Sequence, residues 1–346
     1  MHWVVAAPFT LDPISDRWLV PFVPPSRHRF TLVPAPRERS WHERRVRSSG
    51  WIEWARAWRQ GYAAWGESRG GIITVFPELA LAVGMRKRCA LEEKPIVAWC
   101  FNLGALHGGT KRRVARTALA RIDRFVVHSR AETLRYAEWL ELPPERFVFV
   151  PLQRGRIAIE EREDIERPFV LAMGSARRDY ATFFEAVRRT GHRTVVVAAR
   201  HAVDGLAVPD NVEIRSALTP IDCRRLAQRA RVNVVPVKND ETASGQVTLV
   251  EAMRMGRAVV ATRCIGSEDY IEHERTGLVV EPGSVEDLAQ SIERVWDDAV
   301  LRTRLARAAA RFTAENCSDE AAGRALRSVL DDVVEKERAA CAVPEC

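Results

Sequence analysis

Residues 241–262 read ETASGQVTLVEAMRMGRAVVAT and hold the residue types best suited to chemistry in this chain. A buried strand is expected to end near Pro236, a polar loop follows, and a helix opens at Ser244 and Gly245. Backbone N–H groups at such a helix start are unpaired, and they lie just past the carboxyl end of a strand. That arrangement binds anions through both geometry and dipole. On a helical wheel Val247, Leu249, Val250, Ala252, Met253 and Met255 encircle the helix, so burial is expected on every side. Glu251 in its second turn must then find donors or be neutralised. Two sources of donors stand open: Arg254 three residues on, or the adjacent hydroxyls of a ribose. Diphosphate on the N–H groups with ribose on Glu251 would fit a nucleoside diphosphate.

A second turn repeats the theme. The strand Phe169–Met173 runs into residues 174–180, GSARRDY, a small-residue turn opening a helix. Gly174 permits close backbone approach, and Arg177 or Arg178 can reach a phosphate. With two anion-competent turns on one sheet edge, Arg178 becomes the candidate cation.

The elements that must carry these turns form two rounds of alternating strand and helix patterns. Strand-like runs of the first round lie at 3–7, 30–34, 72–76, 95–99, 124–128 and 146–150. Those of the second lie at 169–173, 194–198, 212–215, 232–236, 258–262 and 277–281. Continuous apolar strands joined by helices predict α/β architecture with doubly wound parallel sheets. The expected division is a Rossmann-like domain over 1–150, a charged linker over 151–167 and a second such domain over 168–317. A last helix spans 318–338. The ligand is expected in the cleft between the domains.

Composition bounds the partners. The chain has 346 residues, 47% of them hydrophobic and 29% charged, which excludes disorder as the main state. No apolar run reaches the roughly 18–20 residues of a spanning helix, and the start lacks a signal-peptide pattern. Seven scattered cysteines without CxxC spacing predict reduced thiols and a cytoplasmic protein, not a zinc or disulfide framework. The net charge of +7 favours anionic partners, but no nucleic-acid-binding signature accompanies it. No strand is followed by G-x-G-x-x-G, and the glycines of 104–109 lack Walker spacing, so dehydrogenase and P-loop readings are disfavoured.

Residues 245–262, followed by GSEDYI at 266–271 and TGLVVEPG at 276–283, resemble the donor half of the family 4, or group 1, glycosyltransferases. The resemblance is strong from Phe169 to Trp296 and mainly architectural over 1–150. It implies the GT-B fold, a nucleotide-sugar donor, no cofactor, no divalent metal, retention at the anomeric carbon and a C-terminal helix crossing back. Glu251 matches the second glutamate of the family's E-x7-E pair, which holds the ribose. Gly245 and Gln246 match the loop offering amides to diphosphate and sugar, and Arg178 lies near the basic residue after the glycine turn. Ser175 stands where an arginine is common, and Asp269 aligns with a glutamate in the next strand-to-helix turn.

The chain departs from that pattern at Ala243, which occupies the first-glutamate position; Glu241 is two positions early. Either Glu241 serves through a rearranged loop, or Ser244 and Gln246 hold the sugar. In the first half Asn102 is the match for the family's common histidine, while His128 reads as a cleft-edge or core residue. Asp12 or Asp16 would become base candidates were the reaction inverting.

The first half holds nine of the ten tryptophans. Trp51, Trp54, Trp58, Tyr62 and Trp65 draw one helix face behind a run containing Arg37, Arg39, Arg44, Arg45 and Arg47. That face packs on its sheet, or lies on an anionic membrane to reach a lipid-linked acceptor. The resulting expectation is a polysaccharide-type glycosyltransferase, cytoplasmic or peripheral on the membrane's cytoplasmic face. The alternatives are a GT-B nucleotide-sugar epimerase and a catalytically silent nucleotide-binding module.

Overall fold

The computed structural model describes residues 1–9, 17–35, 50–238 and 243–342, with side chains to 339. Glu241, Asp12, Asp16 and the arginine run at 37–47 lie outside the described residues. The chain divides into two compact units, Met1–Val150 with Asp319–Cys346, and Pro151–Ser318.

The first unit runs β1 (His2–Ala6), β2 (Arg29–Val33), α1 (Trp51–Glu67), β3 (Gly71–Val75), α2 (Pro77–Arg88) and β4 (Ile96–Trp99). It continues through α3 (Gly109–Leu119), β5 (Arg124–Val127), α4 (Arg130–Leu140) and β6 (Phe147–Phe149). Its sheet has the order β2-β1-β3-β4-β5-β6, every pair parallel. Alternation along the strands feeds two cores. Val4 and Ala6 face helices α1–α4, whereas Trp3 and Val5 face the opposite layer.

The second unit runs β7 (Val170–Met173), α5 (Tyr180–Thr190), β8 (Thr194–Val197), β9 (Val212–Arg215), α6 (Pro220–Arg229) and β10 (Val232–Val235). Then come α7 (Gln246–Arg254), β11 (Val259–Thr262), β12 (Leu278–Val280), α8 (Val285–Asp297) and α9 (Ala299–Asn316). Its sheet, also parallel, has the order β12-β11-β10-β7-β8-β9. The two doubly wound α/β sheets expected from the apolar runs are therefore present.

The last helix, α10 (Asp319–Ala342), belongs to the first unit. Ala322, Leu326, Val329, Leu330 and Val333 form its buried stripe against Trp3, Val5, Ile73 and Val97. Polar clamps fix its register. The Trp3 indole N–H donates to His28 Nδ1 at 2.9 Å, which leaves the His28 Nε2–H to donate to Asp331 at 3.0 Å. Arg124, almost wholly buried, donates to Asp332 through Nε at 2.7 Å.

Two sequence expectations change. Residues 151–167, read as a linker, form neither helix nor strand but are strapped to the second unit. The buried Gln228 amide accepts from the N–H groups of Glu160 and Glu161 and donates to Ala158 O, and the Asp164 N–H donates to Arg229 O. A charged strand-free segment thus gains order from one buried amide that pattern reading does not weigh.

The second change concerns α1, which packs through small residues. Ala57, Gln60, Gly61, Ala64 and Trp65 are buried, and Gly61 abuts Ala82 and Val83 of α2. The aromatic stripe is split: Trp51 is 80% and Tyr62 49% exposed, Trp54 and Trp58 are half-buried, and Trp65 is buried.

Gly323 of α10 lies so close to the chain at Phe22 that a Cβ there would stand 2.1 Å from the Phe22 carbonyl oxygen. Backbone cannot yield cheaply, so Gly323→Ala is expected to destabilise the first unit by about 1–3 kcal/mol in urea titrations. An unchanged midpoint would contradict this contact.

Candidate functional site

The order β12-β11-β10-β7-β8-β9 makes β7 and β10 neighbours from which the chain winds in opposite directions. The carboxyl ends of such a strand pair flank the crevice where open α/β sheets bind ligands. Both turns singled out in the sequence leave from this point. They are joined to each other: Asp179 N–H donates to Pro236 O at 3.0 Å, and Lys238 N–H to Arg177 O at 3.1 Å.

The turn after β7 is shaped around Arg178. Gly174 has φ +114°, and a Cβ there would lie 2.5–2.9 Å from the Arg178 guanidinium. Only glycine leaves that space. Arg177 takes a left-handed φ of 54° to carry the chain around. Ser175 is spent on structure, its Oγ accepting from Ala199 N–H at 2.8 Å.

The half-buried Arg178 donates from Nε to Met173 O (2.9 Å), from NH1 to Ala176 O (2.9 Å) and from NH2 to Thr248 Oγ1 (3.2 Å). All three acceptors are neutral, and among the described residues no carboxylate pairs with it. Desolvation pulls its pKa below the ordinary arginine value, partly offset by the neighbouring Tyr180 and Cys264. Among the described residues it is a cation without a counter-charge.

Gly245, φ +79°, stands at the N-cap of α7, where a glycine offers no side-chain cap. A Cβ on Gly245 would meet Val235 and Val237 at 2.8–2.9 Å and lie 3.7 Å from Arg178 NH1. Guanidinium and helix start are therefore adjacent. Ser244 Oγ is buried with no hydrogen-bond partner among the described residues, and Ser244 O faces the Cys264 thiol at 3.9 Å. The Gln246 side chain is buried within the protein.

Glu251 is 15% exposed, and its partners are not those the local sequence offers. Oε1 accepts from Arg154, through Nε at 3.1 Å and through its terminal nitrogen, and from Arg224 at 3.3–3.4 Å. Arg254 instead donates to the carbonyl oxygens of Gly155 and Thr313. Arg154 comes from the strap and Arg224 from α6, 97 and 27 residues away in sequence. No local spacing could reveal either. Thr248, three residues past Gly245, was legible as a first-turn hydroxyl.

Asp269 stands half-buried in a run of turns after β11; no helix follows there, so the expected strand-to-helix cap is absent. Among the described residues no group of three or more His, Cys, Asp and Glu side chains is arranged to hold a metal ion.

In the first unit Asn102 is engaged locally. Its Nδ2 donates to Glu132 Oε1 at 3.4 Å and its Oδ1 accepts from Gly104 N–H at 2.9 Å. His128 is buried at the end of β5, 2.7 Å from Val150 O through Nδ1 and 3.1 Å from Cys100 Sγ through Nε2. A carbonyl can only accept, so Nδ1 carries the proton and Nε2 accepts from the thiol.

Comparison with known proteins bears on the second unit above all. Residues 169–298 match the family described as "Glycosyl transferases group 1". Over 207 residues the chain is 27% identical to an alpha-D-kanosaminyltransferase of Streptomyces kanamyceticus, covering 56% of this chain and 53% of that protein. It is 30% identical over 164 residues to the lipopolysaccharide core biosynthesis glycosyltransferase LpsE of Rhizobium meliloti, covering 44% and 47%. The chain thus spans about half the length of these curated relatives. Among solved structures, Anabaena Alr3699/HepE in complex with UDP and glucose superposes with a TM-score of 0.67 at 13% identity, covering 97% and 100% of the two chains. A glycosyltransferase from Rickettsia africae gives 0.68 at 12%, covering 96% and 98%. These structural likenesses establish the shared GT-B fold.

The His128 geometry carries a pH dependence. Burial lowers its pKa from 6.5 to about 4, so the unfolded chain binds the proton more readily between these values. Its contribution is whole above pH 6.5 and is lost as pH falls toward 4, about 3 kcal/mol in all. Denaturant unfolding of wild type and His128→Gln at pH 7 and 4.5 is expected to show a markedly smaller acid loss in the variant.

Proposed function

We propose, on the premise that residues 169–298 belong to the group 1 glycosyl transferases, that this chain moves a sugar from a nucleoside-diphosphate sugar onto an acceptor hydroxyl. The observation that carries the reading is Arg178, a desolvated cation held by neutral oxygens beside the N-terminus of α7. A diphosphate would supply the negative charge that no described residue gives it. Glu251 lies five residues into α7, roughly 8 Å along the helix axis, where the ribose of that nucleotide would reach it. Relatives named for glycosyl transfer, and a structural neighbour crystallised with UDP-glucose, support the same ligand class.

In the proposed reaction the anomeric C–O bond breaks and its electron pair passes to the diphosphate. Arg178 and the first N–H groups of α7 stabilise that charge without having to reorganise. The acceptor oxygen bonds to the anomeric carbon, and its proton passes to a phosphate oxygen. This front-face route retains configuration and needs no dedicated carboxylate base, metal or cofactor. Gly245 and the buried Ser244 hydroxyl contribute at the helix start, with Gln246 and Glu241 proposed toward the sugar and Asn102 toward the reacting centre. Gly174 serves by leaving room for Arg178.

A thermal-shift screen of UDP, GDP, ADP and their sugars tests the ligand class, since native-state binding raises Tm. With the donor found, Arg178→Ala is expected to lower kcat for donor turnover on the order of a hundredfold. A protein that no nucleotide stabilises, or an Arg178→Ala variant of unchanged rate, would refute the proposal.

The outward aromatic side chains of α1 favour a peripheral contact with anionic membrane, where a lipid-linked acceptor would be met. No described helix is long and apolar enough to cross a membrane. Flotation with anionic liposomes is expected to recover the protein at low salt, and Trp51→Ser with Tyr62→Ser to reduce that recovery severalfold. Equal recovery of the variant would remove α1 from the contact.

A further inference from the structure

We infer that Arg154 and Arg224 are positioning residues that hold one oxygen of Glu251 so that its other oxygen is presented to a ribose hydroxyl. The inference rests on the proposed nucleotide reading and adds residues outside the resemblance that led to it.

The geometry is one-sided. Every hydrogen bond to the carboxylate falls on Oε1, two from Arg154 and two from Arg224. Oε2 has no hydrogen bond among the described residues, although the group lies in a site 15% exposed. Rotation of the carboxylate about its terminal bond would break the close contacts to Arg154 and the longer ones to Arg224. Charge-assisted bonds of this kind are the stronger class. The free oxygen is then a fixed acceptor, and it retains two lone pairs for a donor hydroxyl.

The electrostatics agree with a nucleotide and not with a closed structural pair. Two guanidinium groups against one carboxylate leave the cluster at a formal charge of +1. Arg254, which could have neutralised Glu251 from the same helix, is turned to carbonyls instead. Arg154 is itself anchored through its backbone, its N–H donating to Cys317 O at 2.8 Å. Neighbouring Leu152 N–H donates to the buried Tyr270 hydroxyl at 2.9 Å. The strap therefore delivers a guanidinium to a set position from one side, while α6 delivers Arg224 from another.

A residue that merely supports the fold would weaken all nucleotides alike. A positioning residue changes the ratio between ribose and its deoxy counterpart. The experiment measures calorimetric affinities of wild type, Arg154→Ala, Arg154→Lys and Arg224→Ala for the tightest binder among UDP, GDP and ADP. The 2′,3′-dideoxy form of the same diphosphate is measured alongside. Wild type is expected to prefer the ribose form by roughly tenfold or more, the worth of a hydrogen bond to a charged group. Arg154→Ala is expected to bring that preference to about threefold or less, with Arg154→Lys between, because a lysine has no fork. Arg224→Ala, the more exposed partner, gives the same loss to a smaller degree and serves if the Arg154 variants fail to fold.

Two results overturn the inference while leaving nucleotide binding intact. One is a variant that keeps the wild-type preference; the other is a variant that binds the ribose form more tightly, which would make Arg154 a blocker of Glu251. Wild-type protein that binds without preferring ribose also overturns it. Absence of any diphosphate binding by wild type instead removes the functional reading beneath it.

Discussion

A half-buried guanidinium with no carboxylate partner among the described residues is the constraint on which the second unit turns. Burying a cation is costly unless it is hydrogen-bonded and paired. Among the described residues Arg178 meets only the first condition, through two carbonyls and a threonine hydroxyl. Gly174 exists in its unusual backbone conformation because the guanidinium fills the place of a side chain. Gly245 is limited in the same way by Val235 and Val237. The two glycines and the arginine thus form one packed object, and substitution of any of them disturbs the other two.

Parallel topology puts that object where it is. Neighbouring strands β7 and β10 end side by side, and the turns that follow are stitched by two backbone hydrogen bonds. The positive dipole end of α7 and the cation are therefore adjacent. The helix is short, at nine residues, so its N-terminus and Glu251 act within a single ligand's length. A carboxylate so near an anion site needs cations of its own, and they arrive from a strap and from a different helix.

The first unit follows a plainer logic. Its sheet is covered on one side by α1 to α4 and on the other by the last helix of the chain. Small residues allow α1 to lie close to α2, with Trp65 buried in the core and Trp51 and Tyr62 left outside. The ten tryptophans therefore divide, with Trp51 at the surface and Trp3, Trp65 and Trp99 in the core.

The strands and the two turns were legible because they depend on local properties. A β-branched run buried on both faces, a glycine at a strand end and an amphipathic helix each announce themselves within about ten residues. Arg178, Gly174 and Gly245 were readable for that reason. Aromatic periodicity on α1 was legible too, but not which side it faced, since that was decided by Ala82 and Val83 of a neighbouring helix. The partner of Glu251 was beyond reach for the same cause: Arg154 lies 97 residues away, and nothing along the chain marks it. Residue type and short-range spacing determined that this protein has two parallel sheets and an anion-competent strand edge. Only tertiary folding decided which charges meet there, because electrostatic pairing depends on distance in space, and a strap without periodic pattern carries half of the pair.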